Sequence, residues 1–366
     1  PAGKYEFYGY VKYSDGIAIG KKNEPFQFDP GVFMDDDGKL YLYSGFALAG
    51  NPILLDGSKP TEHGPMCFEL DPSDMLTVLN GPSYIGVAGE KESIGTPYEG
   101  HAFLEASSMR KFNGTYYFIY STMNSHELCY ATSDSPVEKF QYGGILVSNG
   151  DIGMEGVPDV KHARNNTGNT HGSIIELNGK YFVFYHRHSN RKQSSRQACA
   201  EEIRFENGKF FQAEMTSCGL NNSPLNGTGH YPSYIACNVY GKKGTRFLSM
   251  LKHPKMGHPY LTQKGGDRES GEDQYVAHMC DGAVAGYKYF DLSETKEIRI
   301  NICGNARGTV YIRTEENGKP VASIQVKAGR ERKNFSAKLA GLGKKEALFF
   351  CYEGKGSFDF HAFDLK

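Results

Sequence analysis

Tyr98-Glu-Gly-His-Ala-Phe-Leu-Glu-Ala-Ser-Ser-Met-Arg-Lys-Phe-Asn-Gly-Thr-Tyr-Tyr-Phe-Ile-Tyr-Ser121 reads as two apolar strands joined at Gly114. A turn glycine after one strand, with aromatic residues opening the next, is a hairpin signal. The same pattern recurs at Gly38-Lys-Leu-Tyr41, Gly179-Lys-Tyr-Phe182 and Gly208-Lys-Phe-Phe211. Upstream of the copies at Gly38, Gly114 and Gly179 lies an apolar strand that begins at an ionisable residue: Asp29, Glu99 and His171. Hairpins repeating at intervals of tens of residues are expected to be the blades of a β-propeller. In equivalent blades the starts of the inner strands face a shared axis. Asp29, Glu99 and His171 are therefore expected to converge on one pocket.

The chain has 366 residues, enough for two or more domains. Its 44 Gly, 24 Tyr and 23 Phe, with no Trp, favour a turn-dense, β-rich protein over a helix bundle. A net charge of -1 offers no electrostatic footprint for nucleic acid or an anionic membrane. No apolar run reaches the roughly 18 residues of a membrane-spanning helix. The eight cysteines are scattered, without close pairs of the zinc-binding kind, and are expected as buried thiols. That usage favours a reducing, cytoplasmic setting over a disulfide framework. Glycosylation-type triplets at Asn113, Asn165, Asn221, Asn226 and Asn334 are discounted in a chain rich in Asn, Ser and Thr.

Residues 1–12 read as the outer strand of a blade. Pro1–Gly9 matches Pro136–Gly144 at the Pro, the Lys, two aromatic positions and the final Gly. The chain is thus expected to start at the last strand of a blade, with about a hundred further propeller residues upstream of Pro1. One blade is expected from Phe28 to Tyr84, another from Tyr98 to Val147 and a third from His171 to Met215. Polar or Gly/Pro-rich insertions at Gly50–Pro65 and Asn149–Gly168 are expected as rim loops. Ser217–Gly229 is the clearest linker signal. Beyond it, Glu297–Ile302, Thr309–Arg313 and Phe358–Ala362 alternate apolar and polar residues, as half-buried antiparallel strands do. The expected fold is all-β: a β-propeller over residues 1–222, incomplete in this chain, followed by a jelly-roll β-sandwich over 230–366.

Asp29 precedes Pro30 and reads either as an Asx-type turn residue or as a site carboxylate. Asp35 to Asp37 are expected as turn residues. Glu99 follows Tyr98 and precedes an apolar strand, surroundings that would desolvate its carboxyl and raise its pKa, as a general acid requires. A solvated loop Glu is the alternative. His171, flanked by glycines, could ligate a metal on the axis, orient a water, or be structural. Arg196 opens another apolar strand and reads as a donor to ligand hydroxyls or as a surface residue. No nucleophile elbow, phosphate loop, HExxH or paired Cys motif occurs. Two carboxylates, an arginine, a histidine and many aromatic residues suit a sugar site.

Phe28-Asp-Pro-Gly-Val-Phe33 with its acidic turn, Tyr98–Ser121 and Gly168–Arg187, taken in this order, resemble glycoside hydrolase family 43 over roughly residues 1–220. The resemblance implies a five-bladed propeller and an inverting mechanism. It implies Glu99 as the general acid and Asp29 as the carboxylate that raises the acid's pKa and holds it in place. It also implies His171 as the residue near the pocket floor that holds calcium or a water, and Arg196 as a sugar contact. Phe46 and His101 are expected as further substrate contacts. No organic cofactor is expected. Residues 230–366 resemble a family 6 carbohydrate-binding module. Such enzymes take their general base from the first blade, about 6.5–9.5 Å from the acid, and no substitute for it stands in this sequence. The implied activity is release of terminal α-L-arabinofuranose from plant cell-wall oligosaccharides, with xylose release or non-catalytic sugar binding as alternatives.

Overall fold

The structure, a computed structural model, describes residues 3–21, 23–47, 58–255, 257–265, 274–339 and 341–366. Residues 50–57, half of the Gly50–Pro65 insertion, therefore lie outside the described residues. Apart from a helical turn at Glu90–Ser93 and a 3-10 turn at Ser233–Ile235, the regular elements described are strands.

β1 (Gly31–Met34), β2 (Leu40–Ser44), β3 (Met66–Leu70) and β4 (Val78–Tyr84) form a four-stranded sheet in chain order. β5 (Phe103–Phe112), β6 (Thr115–Thr122), β7 (Glu127–Ser133) and β8 (Gln141–Ser148) form a second sheet of the same order. β9 (Ser173–Leu177), β10 (Lys180–His188) and β11 (Arg196–Ile203) make a third, and β12 (Phe205–Glu206) pairs with β13 (Lys209–Phe210). These up-and-down sheets are the blades of a propeller. Asn113-Gly114 turns β5 into β6, and both residues hold positive φ, +51° and +83°. That is the backbone a two-residue hairpin demands, and Asn-Gly adopts it at little cost. Among the described residues of the expected outer strand, 3–12, no strand is formed. Within 3–12 only Lys12 bridges to other residues, Thr77 and Ala18, while Tyr5, Phe7, Tyr8 and Tyr10 stay exposed.

The first two blades share an aromatic core in which Tyr43, Phe103, Phe118, Tyr120 and Phe140 are all buried. Tyr43 and Phe118 sit 5.8 Å apart, and the Tyr43 hydroxyl donates to the Pro136 carbonyl at 2.8 Å. Asp35 opens the hairpin turn as expected, its carbonyl accepting from the Gly38 N–H at 3.0 Å, and its side chain is buried. Its carboxylate accepts from Lys111 Nζ at 2.8 Å and from the Tyr116 hydroxyl at 2.6 Å. Burial pushes the Asp35 pKa up, but those two bonds outweigh it and hold it below the ordinary value.

By compactness the chain parts into one unit of Pro1–Leu146, Thr170–Tyr181 and Arg204–Phe211, and a second of Val147–Asn169, Phe182–Ile203 and Gln212–Lys366. The second unit contains a β-sandwich. One sheet runs β14 (Leu225–Asn226), β19 (Val284–Asp291), β24 (Glu346–Lys355), β21 (Arg307–Arg313), β22 (Ala322–Lys327), with β16 (Asn238–Tyr240) also on β19. The other runs β17 (Tyr260–Gln263), β18 (Gln274–Cys280), β25 (Ser357–Leu365), β20 (Glu297–Gly304), β23 (Lys333–Lys338), with β15 (Gly229–Pro232) also on β25. Ile298, Ile300 and Ile302 all face the core, as the alternation in β20 requires. In β25 the alternation slips: Ala362 and Phe363 are both buried, next to a bulge where β25 pairs with Asn301 and Ile302.

A buried ion cluster fastens this unit. Lys288 Nζ lies 3.1 Å from Asp151 and 2.8 Å from Glu214, with side-chain exposures of 4% for Lys288 and 0% for Asp151. Asp151 also accepts from the Met215 N–H and from Asn238, and Glu214 from the Tyr289 hydroxyl. Burial favours a neutral Lys288, but Cys237, Asp151 and Glu214 together hold its pKa above the ordinary lysine value. Removing one member leaves a buried charge unpaired. Lys288→Met is expected to destabilise the protein by about 3–5 kcal/mol, read as a lowered midpoint in denaturant or heat; an unchanged midpoint would contradict the role.

Candidate active site

Asp29 sits two residues ahead of β1, with φ at +44°. Asp tolerates this left-handed backbone, and such residues concentrate at functional sites. The Ser44 hydroxyl pins the preceding residue: it accepts from the Phe28 N–H at 2.9 Å and donates to the Phe28 carbonyl at 3.0 Å. Asp29 Oδ2 lies 3.3 Å from His171 Nδ1, and His171 sits two residues ahead of β9. Two of the three expected residues are thus brought together.

Glu99 is placed differently. It lies in a turn four residues ahead of β5, exposed, and one carboxylate oxygen accepts from the Gly95 N–H at 2.9 Å. The expected desolvation is not met. Tyr98 turns inward, buried, and its hydroxyl donates to the Phe140 carbonyl at 2.9 Å. Among the described residues no contact joins Glu99 to Asp29 or His171.

Another glutamate, Glu105, lies on β5, the inner strand that neighbours both β1 and β9. A Cβ on Gly31 would lie 2.3 Å from the Ser107 carbonyl oxygen, so β1 runs hard against β5. The Ser108 and Ser173 hydroxyls meet at 2.9 Å, so β5 runs beside β9. Asp29 is two residues before Gly31, His171 two before Ser173, and Glu105 two before Ser107. Glu105 is 7% exposed and sits in a bulge where the β5–β6 pairing shifts on both sides of it, with Ala106 at φ +70°. The signal in the sequence was a charge inside an otherwise apolar inner strand, Phe103-Leu-Glu-Ala106. A buried carboxyl of this kind is rare unless it has work to do.

Phe46 is buried beside Leu104, with Phe26 and Met123 against it. Its ring lies 5.0 Å from that of Phe28, the residue before Asp29. Arg196 is the exposed first residue of β11, in the second compact unit, and its Nε donates to the Gln193 carbonyl at 3.3 Å. His101 turns toward the outer strands of its own blade. Its Nδ1 lies 2.8 Å from Glu127 Oε1, and its ring stacks on Tyr142 at 5.0 Å and 12°. The same Glu127 oxygen accepts from Thr122 at 2.8 Å and Asn124 at 3.0 Å. Burial pushes the Glu127 pKa up, but His101 and Thr122 outweigh it and hold it below the ordinary glutamate value.

Calcium takes six to eight oxygen ligands. Around His171 the described residues bring one carboxylate, Asp29, and an imidazole nitrogen, which is not such a shell. Among the described residues the one gathering of three metal-ligating side chains is His101, Glu127 and Cys129.

The family model of glycosyl hydrolases family 43 matches residues 3–210. This chain belongs to glycosyl hydrolases family 43. A xylosidase/arabinosidase of Thermoclostridium stercorarium is 42% identical over 370 residues, covering 100% of this chain and 75% of that protein. A β-xylosidase of Xylanibacter ruminicola is 34% identical over 194 residues, 47% of this chain and 56% of its own length. Among solved structures, an arabinoxylan arabinofuranohydrolase from Bacillus subtilis, in complex with cellotetraose, aligns with 96% of this chain and 71% of its own at 20% identity and a TM-score of 0.47. A family 43 β-xylosidase/α-arabinofuranosidase from a compost metagenome, in a calcium-free form with xylotriose, aligns with 53% of this chain and 59% of its own at 28% identity and a TM-score of 0.38. A family 6 carbohydrate-binding module from Clostridium cellulolyticum, in complex with xylose, aligns with 39% of this chain and 99% of its own at 11% identity and a TM-score of 0.30.

The Glu127 network has a pH signature. A carboxylate held below its unfolded pKa adds stability above that value, about 4.3 for glutamate, and loses it as pH falls through the folded value. The melting temperature of the wild type is expected to fall more steeply below about pH 4.3 than that of Glu127→Gln. Parallel curves would contradict the assignment.

Proposed function

We propose that this family 43 protein is an exo-acting glycosidase that releases terminal α-L-arabinofuranose from arabinoxylan-type oligosaccharides with inversion. What supports this reading is the buried Glu105 on β5, the inner strand beside the two that follow the Asp29–His171 pair. Glu105 protonates the leaving glycosidic oxygen as the C–O bond breaks. Asp29, a nearby negative charge, keeps that acid protonated near neutral pH. His171 holds Asp29 through Nδ1. A carboxylate on the opposite face of the sugar activates the attacking water, as inversion requires. The aromatic trio Phe26, Phe28 and Phe46, whose middle member precedes Asp29, offers an apolar wall. Catalysis falls to residues 1–222 in a five-bladed propeller, and residues 230–366 act as a sugar-binding module. A calcium ion at His171 would draw most of its ligands from water, and no step depends on it. The β-D-xylosidase reading stands second, favoured by the 34% identity to a protein named β-xylosidase.

Hydrolysis of arabinoxylo-oligosaccharides against xylo-oligosaccharides separates the two sugars, and absence of any hydrolysis would favour a purely binding propeller. Glu105→Gln is expected to lower kcat/KM by about 10²–10⁴-fold, while Glu99→Gln stays within about threefold of wild type. The reverse ranking would return the acid role to Glu99.

A further inference from the structure

His101, Glu127 and Cys129 form a cluster that the proposed hydrolysis does not use. They offer one nitrogen, one carboxylate oxygen and one sulfur, all within 4.8 Å of one another. We propose that this cluster is a binding site for a borderline divalent metal ion of the Zn²⁺ or Co²⁺ type.

The donor set selects the metal. Calcium and magnesium call for oxygen shells, whereas a thiolate with an imidazole and a carboxylate suits zinc and its neighbours. Metal–ligand distances of about 2.0–2.3 Å in a tetrahedral site set donor separations of about 3.3–3.8 Å. The three donors reach that spacing by shifts of about 1 Å, with His101 Nδ1 and Glu127 Oε1 moving slightly apart from their present 2.8 Å. The outer partners needed to hold such ligands are in place. Thr122 and Asn124 donate to Glu127, and Tyr142 stacks on His101 and lies 3.8 Å from the Cys129 sulfur. Local chain geometry supplies two of the ligands from one strand: Glu127 and Cys129 are alternate residues of β7, so their side chains leave the same face.

Access runs through the imidazole. The His101 side chain is 27% exposed while that of Glu127 is 2% exposed, and Cys129 is fully buried. Solvent on the His101 side supplies the fourth position. Binding releases the Cys129 thiol proton as the sulfur–metal bond forms, so affinity rises with pH. Burial and the Glu127 charge hold that proton firmly, and the metal must displace it.

The test is titration of the metal-free protein with Co²⁺, reading the near-ultraviolet thiolate-to-cobalt charge-transfer band, with Zn²⁺ as competitor. One equivalent of Co²⁺ is expected to bind with that band, and Zn²⁺ to bleach it. Cys129→Ser is expected to abolish the band, and Cys303→Ser to leave it unchanged. Since a buried cysteine variant could fold poorly, His101→Phe, which keeps a ring against Tyr142, is the second variant. It is expected to weaken Co²⁺ binding at least tenfold while the protein stays folded, as read by circular dichroism. No band with folded wild type, or a band that survives both variants, would overturn the proposal. The readout is independent of glycosidase activity, so it stands or falls separately from the proposed hydrolysis.

Discussion

The close approach of β1 to β5 is the constraint on which the site depends. Gly31 leaves no room for even a methyl group against the Ser107 carbonyl. That contact fixes the height of one inner strand against the next, and the Ser108–Ser173 hydrogen bond fixes β5 against β9. Once the heights are set, the strands that bring Asp29, Glu105 and His171 stand side by side although 76 and 66 residues of chain separate the three. The propeller makes a site by aligning strand starts, and small residues at the contacts are what allow the alignment.

Polar ties buried in apolar surroundings hold each unit. Asp35 binds Lys111 and Tyr116 and so links the hairpin turn of the first blade to the inner and second strands of the next. Asp151, Glu214 and Lys288 do the same within the second unit, drawing a loop and a short segment onto β19. A buried charge is costly alone and tolerable only with its partners. Such clusters therefore specify which segments meet, whatever their net contribution to stability.

Much of the fold was legible because its signals are local. Glycine turns followed by aromatic residues marked the hairpins, and strict alternation marked β20. The strand expected at residues 1–12 shows the limit of local reading, since a strand exists only when its backbone finds a partner. The site was half legible. Asp29 and His171 stand at strand starts, where a sequence pattern can place them. Glu105 stands inside a bulge that shifts the register of β5, and the alternation rule carries no sign of that shift. His101 was expected at the sugar. Its partner Glu127 lies 26 residues on, and only the three-dimensional fold turns the imidazole toward it.

The central claim is that Glu105, on the strand beside the two that follow Asp29 and His171, delivers a proton to the leaving group. Its most direct test is the leaving-group dependence of kcat/KM for Glu105→Ala on a series of aryl glycosides. A missing proton donor matters less as the departing phenol becomes more acidic, so the deficit against wild type is expected to shrink steadily along the series. An equal deficit for every leaving group would contradict the claim.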